Sequence, residues 1–249
     1  MEIKTIIEGD GPLIGEDTAD LLQSIENAFG IQFSREGPFP RTVGELCDCV
    51  IARFETQKTS RCFSSMAFYW VRRNAVETFR AERKAVTPST ELSSLFSSGR
   101  KRRNQWRVLQ RQVLPLKLPD LELSTGTEWC IGLMVTCAAL AVIAALWQVL
   151  PILSWLLSAL LTSFVALIVW VIVRNMRPFA SQFPRNGRTF GDLIKLTVAH
   201  SYGTLVRWAN GWSHKEVWGA LQQFIADEIL LDPAQITPDT LFPDGLGIW

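Results

Sequence analysis

Histidine and tyrosine each occur only twice in the 249 residues, and the stretch from Trp129 to Val173 holds no Asp, Glu, Lys, Arg or His. His200 and His214 lie in no recognisable nucleophile motif, which leaves little for histidine-based acid–base catalysis to work with. Five cysteines is an odd number, and none has the pair-of-pairs spacing of a zinc site. Cys47 and Cys49 fall on different faces of a predicted helix and read as reduced structural thiols. A net charge of +1 selects neither an acidic nor a basic partner. The stretch EGDGP at Glu8–Pro12 is too short and acidic for a phosphate loop and reads as a turn. The sequence therefore predicts no catalytic residue, no metal and no cofactor.

The missing charge is informative in itself. A bilayer core takes ~20 apolar residues per helix, and the uncharged run is 45 residues long. Pro151 at its centre can end one helix and start the next, giving a predicted transmembrane hairpin of Trp129–Leu150 and Ile152–Val173. Small residues at spacings of four (Cys137, Ala141, Ala145; Ser154, Ser158, Thr162, Ala166) would let the two backbones approach closely in lipid. Trp129 and Trp170 would mark the cytoplasmic interface, and Trp147 and Trp155 the far one. Both outer flanks are basic. Seven Lys or Arg and no acid lie between Arg100 and Lys117, and Arg174, Arg177, Arg185 and Arg188 precede the next acid. This bias predicts an integral protein of a bacterial-type inner or cell membrane with both termini cytoplasmic. Met1–Asp10 is charged and mixed, so no signal peptide is expected there.

Everything else reads as helix. Leu21, Leu22, Ile25, Ala28 and Phe29 form one apolar stripe, and Val43, Leu46, Val50, Ile51 and Phe54 form a second. A third helix is expected over about Ser65–Glu82, with Ala67, Val71, Ala75 and Phe79 on one face. Phe190, Leu193, Ile194 and Thr197 start a fourth, and Val217, Leu221, Phe224 and Ile225 line a fifth beyond the break at Asn210-Gly211. No alternating strand pattern appears.

The flanking regions also repeat. RTVGELCDCVIARF at Arg41 returns as RTFGDLIKLTVAH at Arg188, and VTPSTEL at Val86 returns as ITPDTLF at Ile236. The second motif follows the Thr of the first by 44 residues in one copy and 47 in the other. In each, Thr is expected to cap a short helical turn with Pro at its first position. Matched landmarks at near-equal spacing indicate a duplicated unit with the hairpin between its copies.

On these segments the chain resembles acyl carrier proteins. VWGALQQFIADEILLDPAQITPDTLFPDGLGIW (217–249) resembles the first helix and following loop of that family. IGEDTADLLQSIENAFGI (14–31) resembles its second helix, and RTVGELCDCVIARF its last. The family opens its second helix on Asp-Ser-Leu, and the serine carries a phosphopantetheine arm. Counting in family register, Gly15 stands at the serine's place, and Asp17, Thr18 and Asp20 stand where acidic residues commonly follow, two of the three being acidic here. The middle copy, LFSSGRKRR, puts Gly99 there. The order of segments is permuted, which nearby termini make physically reasonable. The resemblance implies acyl-carrier-like helical modules, and the glycines imply that covalent acyl carriage at Gly15 is absent.

The expected fold class is all-α: acyl-carrier-like bundle modules plus a two-helix transmembrane hairpin. The expected division is a permuted module at 1–98, a basic juxtamembrane linker at 99–128, the hairpin at 129–173, a linker at 174–187 and a second, partial module at 188–249. The segment 99–113 invites a nucleic-acid reading or a solvated linker. In an anchored chain, Arg100, Lys101, Arg102, Arg103, Arg107, Arg174 and Arg177 are better placed to meet anionic headgroups. The acidic face of Glu16, Asp17, Asp20 and Glu26 is either an ordinary solvent face or, as the resemblance implies, a docking surface for a cytoplasmic protein. Ser97 and Ser98 lead into a basic run instead of an apolar helix, which argues against attachment there. The function expected is a membrane-anchored, non-catalytic, acyl-carrier-like recruitment or scaffold module whose partners are the bilayer and an unidentified protein. An alternative is an atypical acyl or lipid carrier, or accessory protein, of fatty-acid or polyketide-type enzymes. The N-terminal helices are expected to be closed by the nearby Ser65–Glu82 helix, because a short loop costs less to close. The C-terminal pair would then dock, on the first module beside the membrane or on another chain, through Phe224, Ile225, Leu241, Phe242, Leu246 and Trp249.

Overall fold

A computed structural model describes residues 15–33, 39–54, 57–122, 182–184 and 187–248. These residues are helical, with isolated bridges in place of strands. The helices are α1 (Glu16–Phe29), α2 (Val43–Ile51), α3 (Phe63–Phe79), the one-turn α4 (Leu92–Leu95), α5 (Gly99–Val113), α6 (Phe190–His200), α7 (Tyr202–Ala209) and α8 (His214–Glu228). The all-α expectation therefore holds. The two expected spans, with Arg174 and Arg177, lie outside the described residues. No helix among the described residues is long and apolar enough to cross a membrane.

Most of each stripe read from the sequence is buried, while Leu22, Ile51, Phe54 and Phe79 are half-buried. Leu21, Ile25, Ala28 and Phe29 of α1, Val43, Leu46 and Val50 of α2, and Ala67, Val71 and Ala75 of α3 are all buried. The helix ends are set locally. Gly30 turns left-handed (φ 65°) and its N–H donates to the Glu26 carbonyl, closing α1. Thr42 accepts the Glu45 N–H at the start of α2, and Thr189 forms a reciprocal capping box with Asp192 at the start of α6.

One compact unit comprises the described parts of Met1–Leu95, Arg107–Pro119 and Arg185–Trp249. Within it the two copies of the repeat exchange partners. Val43 and Gly44 N–H donate to the Thr240 and Pro238 carbonyls at 2.9 Å, and Phe242 N–H returns a bond to the Arg41 carbonyl at 2.8 Å. The other junction matches it. Phe190 and Gly191 N–H donate to the Thr90 and Pro88 carbonyls at 2.8 Å, and Leu92 N–H donates to the Arg188 carbonyl at 3.0 Å. The Gly of each Thr-X-Gly is now explained, because a Cβ on Gly44 or Gly191 would sit 2.9 Å from the facing proline carbonyl oxygen.

This arrangement corrects the expected closure of the N-terminal helices. α8, from the far end of the chain, packs against α1 and α2, whereas α3 packs chiefly on α6 and α7. Proximity along the chain gave only a weak preference, since closure entropy rises slowly with loop length. Burial of Phe224, Ile225, Phe242 and Leu246 prevails over it, while Leu241 stays exposed and Trp249 lies outside the described residues. Two local expectations also change. The Thr-Pro segments are turns in which the second Thr accepts the first Thr's N–H through its hydroxyl (2.8 Å at Thr90, 2.9 Å at Thr240), not helical starts. The third helix runs from Phe63 to Phe79.

The basic stretch also differs from a linker, because Gly99–Val113 forms α5. Trp106, Leu109 and Val113, at spacings of three and four, are buried along one face. The half built on α3 thus has its own glycine-opened helix. The smaller unit holds Phe96–Trp106 and the described residues of Asp120–Pro184. Phe96, Trp106 and Phe183 meet there with ring centroids 5.2–5.6 Å apart, and Glu122 and Gln182 exchange backbone hydrogen bonds.

Candidate functional site

Both positions that correspond to the expected attachment point open an amphipathic helix. Gly15 is the N-cap of α1 in extended conformation (φ −62°, ψ 159°), with no side chain to cap it. Gly99 begins α5 at φ +58°, a left-handed value that glycine adopts without a Cβ penalty. Neither offers a hydroxyl, thiol or amine, so a group-transfer enzyme has no nucleophile to use at either place.

The surroundings of the two glycines carry opposite charge. Glu16, Asp17 and Asp20 lie exposed on the first turns of α1. Glu26 does not complete that face as a free group, because its carboxylate accepts the Phe33 N–H at 2.6 Å and holds the chain leaving α1. Thr18, between the acids, is fully buried and its hydroxyl has no hydrogen-bond partner among the described residues. On α5, Arg100, Lys101 and Arg107 are exposed and Arg103 is half-buried. Arg102 is held in place: its Nε donates to the Ser97 carbonyl at 3.0 Å and its guanidinium lies 4.6 Å above the Phe183 ring. Ser97 N–H donates to Gln105 Oε1 at 3.0 Å, so the serine backbone is tied to α5.

Cys62 is exposed, whereas two other thiols and a central phenol are committed to structure. Cys47 is buried and its thiol is pushed up to about 12, by burial first and by the Asp48 charge second. Cys49 is shifted the same way by the same two causes, with Arg53 opposing. Neither thiol is a nucleophile near neutral pH. Tyr202 sits at the centre of the core against Phe29, Phe63 and Phe54, with centroids 5.1–6.0 Å away. Its phenol is driven well above the ordinary range by burial, and next by the Glu216 carboxylate. Among the described residues no three His, Cys, Asp or Glu side chains converge as metal ligands.

Two features were not visible along the sequence. His200 Nε2 lies 2.9 Å from Asp227 Oδ2, a pair that joins α6 to α8. Beside it a shallow cleft is lined by Asn27, Lys117, His200, Ser201 and Arg207. The Ser201 hydroxyl accepts the Lys117 N–H at 2.7 Å, across 84 positions of sequence. No local pattern announces a contact of that span. No family model, curated protein or solved structure matches the chain.

Proposed function

We propose that this chain is a membrane-anchored, non-catalytic, acyl-carrier-like protein that recruits a protein partner to the cytoplasmic face of a membrane. Two half-sets share one order: a long helix, a Thr-Pro turn, a glycine-opened helix and a Thr-capped helix. One is α8, 236–242, α1 and α2; the other is α3, 86–92, α5 and α6. That common order, joined by matching hydrogen bonds, supports the likeness to acyl carriers. The observation that carries the functional reading is glycine at both helix openings, where carriage would need a hydroxyl.

The charges support a binding role over a purely structural one. Acids in the first turn of α1 agree with the helix dipole, whereas the basic opening of α5 opposes it. Arg102 is engaged by Ser97 and Phe183, but helix stability does not account for the exposed Arg100 and Lys101, and an anionic partner does. Near a bilayer that partner is the headgroup layer. The exposed acids of α1 are left to meet a basic protein surface.

Intact-mass measurement after co-expression with a broad-specificity phosphopantetheinyl transferase tests the non-carrier reading. The expected mass is that of the unmodified chain, and addition of one phosphopantetheine would overturn it. Gly15→Ser alone should remain poorly modified, because Glu16 follows where the family has an apolar residue. Cross-linking from native membranes, with a Glu16→Lys, Asp17→Lys, Asp20→Lys variant alongside, tests recruitment. A partner captured by the native chain and lost from the variant is expected; equal capture by both would remove the α1 face from the reading.

A further inference from the structure

We infer that the strip formed by residues 113–117 and helix α7 is a docking face for an anionic phospholipid surface. The inference rests on the proposed anchoring of the chain through 129–173. Leu114 is 61% exposed and Trp208 is 38% exposed. Trp70 links the two segments: its indole N–H donates to the carbonyl of Val113, the residue before Leu114, at 2.9 Å. The Trp70 and Trp208 rings meet edge-on, 5.5 Å apart. Indoles and a leucine grouped on a surface expose apolar area that water solvates poorly, and tryptophan is the side chain best suited to the headgroup boundary.

The same strip carries the cations such a surface needs. Lys117, three residues after Leu114, and Arg207, adjacent to Trp208, line one cleft. Among the described residues neither makes an ion pair. Among the described residues the Arg207 guanidinium donates to Thr204 Oγ1, at 3.3 Å. Ser201, 3% exposed, uses its oxygen to accept the Lys117 N–H and keeps its own proton to donate. His200 is engaged by Asp227, so Lys117, Arg207 and Ser201 are the groups that would hold a phosphate. Apolar anchors beside unpaired cations match a lipid headgroup layer, in which phosphate and acyl chain lie next to each other. Residue 117 is 12 positions before Trp129. Chain connectivity limits the separation of these two positions to ~3.3–3.6 Å per residue.

The test uses the full chain in nanodiscs, with its cysteines replaced and a polarity-sensitive fluorophore on Leu114→Cys or, as a control, on the exposed Leu230→Cys. Discs contain phosphatidylcholine alone or with one quarter phosphatidylglycerol, and alkaline carbonate extraction of native membranes reports anchoring separately. The expected result is a blue shift at 114 but not at 230, only with phosphatidylglycerol. Lys117→Glu and Arg207→Glu should each lower the docked population about fivefold or more. A chain that resists extraction but shows no shift at 114 overturns the docking face and leaves the anchor standing. Release by carbonate overturns the anchor and this inference with it. Equal shifts at both sites, or a shift at 114 produced in detergent by glycerol phosphate, overturn the lipid surface as the occupant.

Discussion

Two junctions in this molecule use the same hydrogen bonds in different settings. At one, the backbone of Arg41–Gly44 meets the turn at Pro238–Phe242. At the other, Arg188–Gly191 meets Pro88–Leu92. The first leads into α2, a nine-residue helix with four buried positions. The second leads into α6, where seven of eleven positions are buried and both α3 and α8 pack. The cap follows the load. Thr42 receives the Glu45 N–H while the Glu45 carboxylate accepts from Arg41, but Thr189 and Asp192 close a full reciprocal box. A motif that occurs twice thus keeps its local chemistry while its contribution to the fold differs with burial.

The largest effect expected from breaking this symmetry is at the glycines. Gly44→Ala and Gly191→Ala each force a Cβ to 2.9 Å from a carbonyl oxygen, a backbone atom that cannot swing aside. Overpacking of this kind costs about 1–3 kcal/mol, and urea unfolding should place Gly191→Ala at the upper end. Equal losses would mean that α6 carries no more of the fold than α2.

Next come the caps. Thr42→Ala and Thr189→Ala should each cost about 1 kcal/mol by the same measurement, with Thr189 the costlier. Its hydroxyl both accepts the Asp192 N–H and donates to Asp192 Oδ2 at 2.7 Å. A larger loss at Thr42 would reverse the ranking of the junctions.

The smallest effect is a pH dependence confined to the second junction. Partial burial raises the Asp192 carboxyl, but hydrogen bonds from the Thr189 hydroxyl and N–H, with the Lys195 charge, outweigh it and leave the group below the ordinary value. A carboxyl depressed on folding stabilises the protein above its unfolded value of about 4, and this contribution fades as pH falls through the folded value. Thermal melts across that acid range should show Asp192→Asn with a shallower acid limb than the parent. An unchanged slope would remove Asp192 from the pH response.

The helices were legible because each buries a stripe at helical spacing, as Leu21, Ile25 and Ala28 do in α1. The repeat was legible because its caps and turns need particular residues at particular positions. The crossing of the two halves was not. Gly44 finds Pro238 across nearly the whole chain, and neither segment carries a mark that distinguishes the distant partner from the near one. α5 was hidden by its own charge, since Trp106, Leu109 and Val113 are buried on a helix whose other side chains, the exposed Val108 apart, are polar or basic. The glycine at each helix opening could be read by register. The cleft at Lys117 and Arg207 could not, because it forms only when residues 113–117 cross the start of α7.

Disulfide trapping in the full chain tests the crossed pairing most directly. With native cysteines replaced, Thr42→Cys with Leu241→Cys, and separately Glu91→Cys with Thr189→Cys, place thiols across two antiparallel bridges. Residues opposed in such bridges have Cα atoms about 4.5–5.5 Å apart, within the reach of a disulfide. Both pairs should oxidise within a single chain under mild conditions, giving compact monomers that reducing agent reverses. Failure of both pairs to close, with the thiols still reactive in the folded protein, would contradict the crossed pairing.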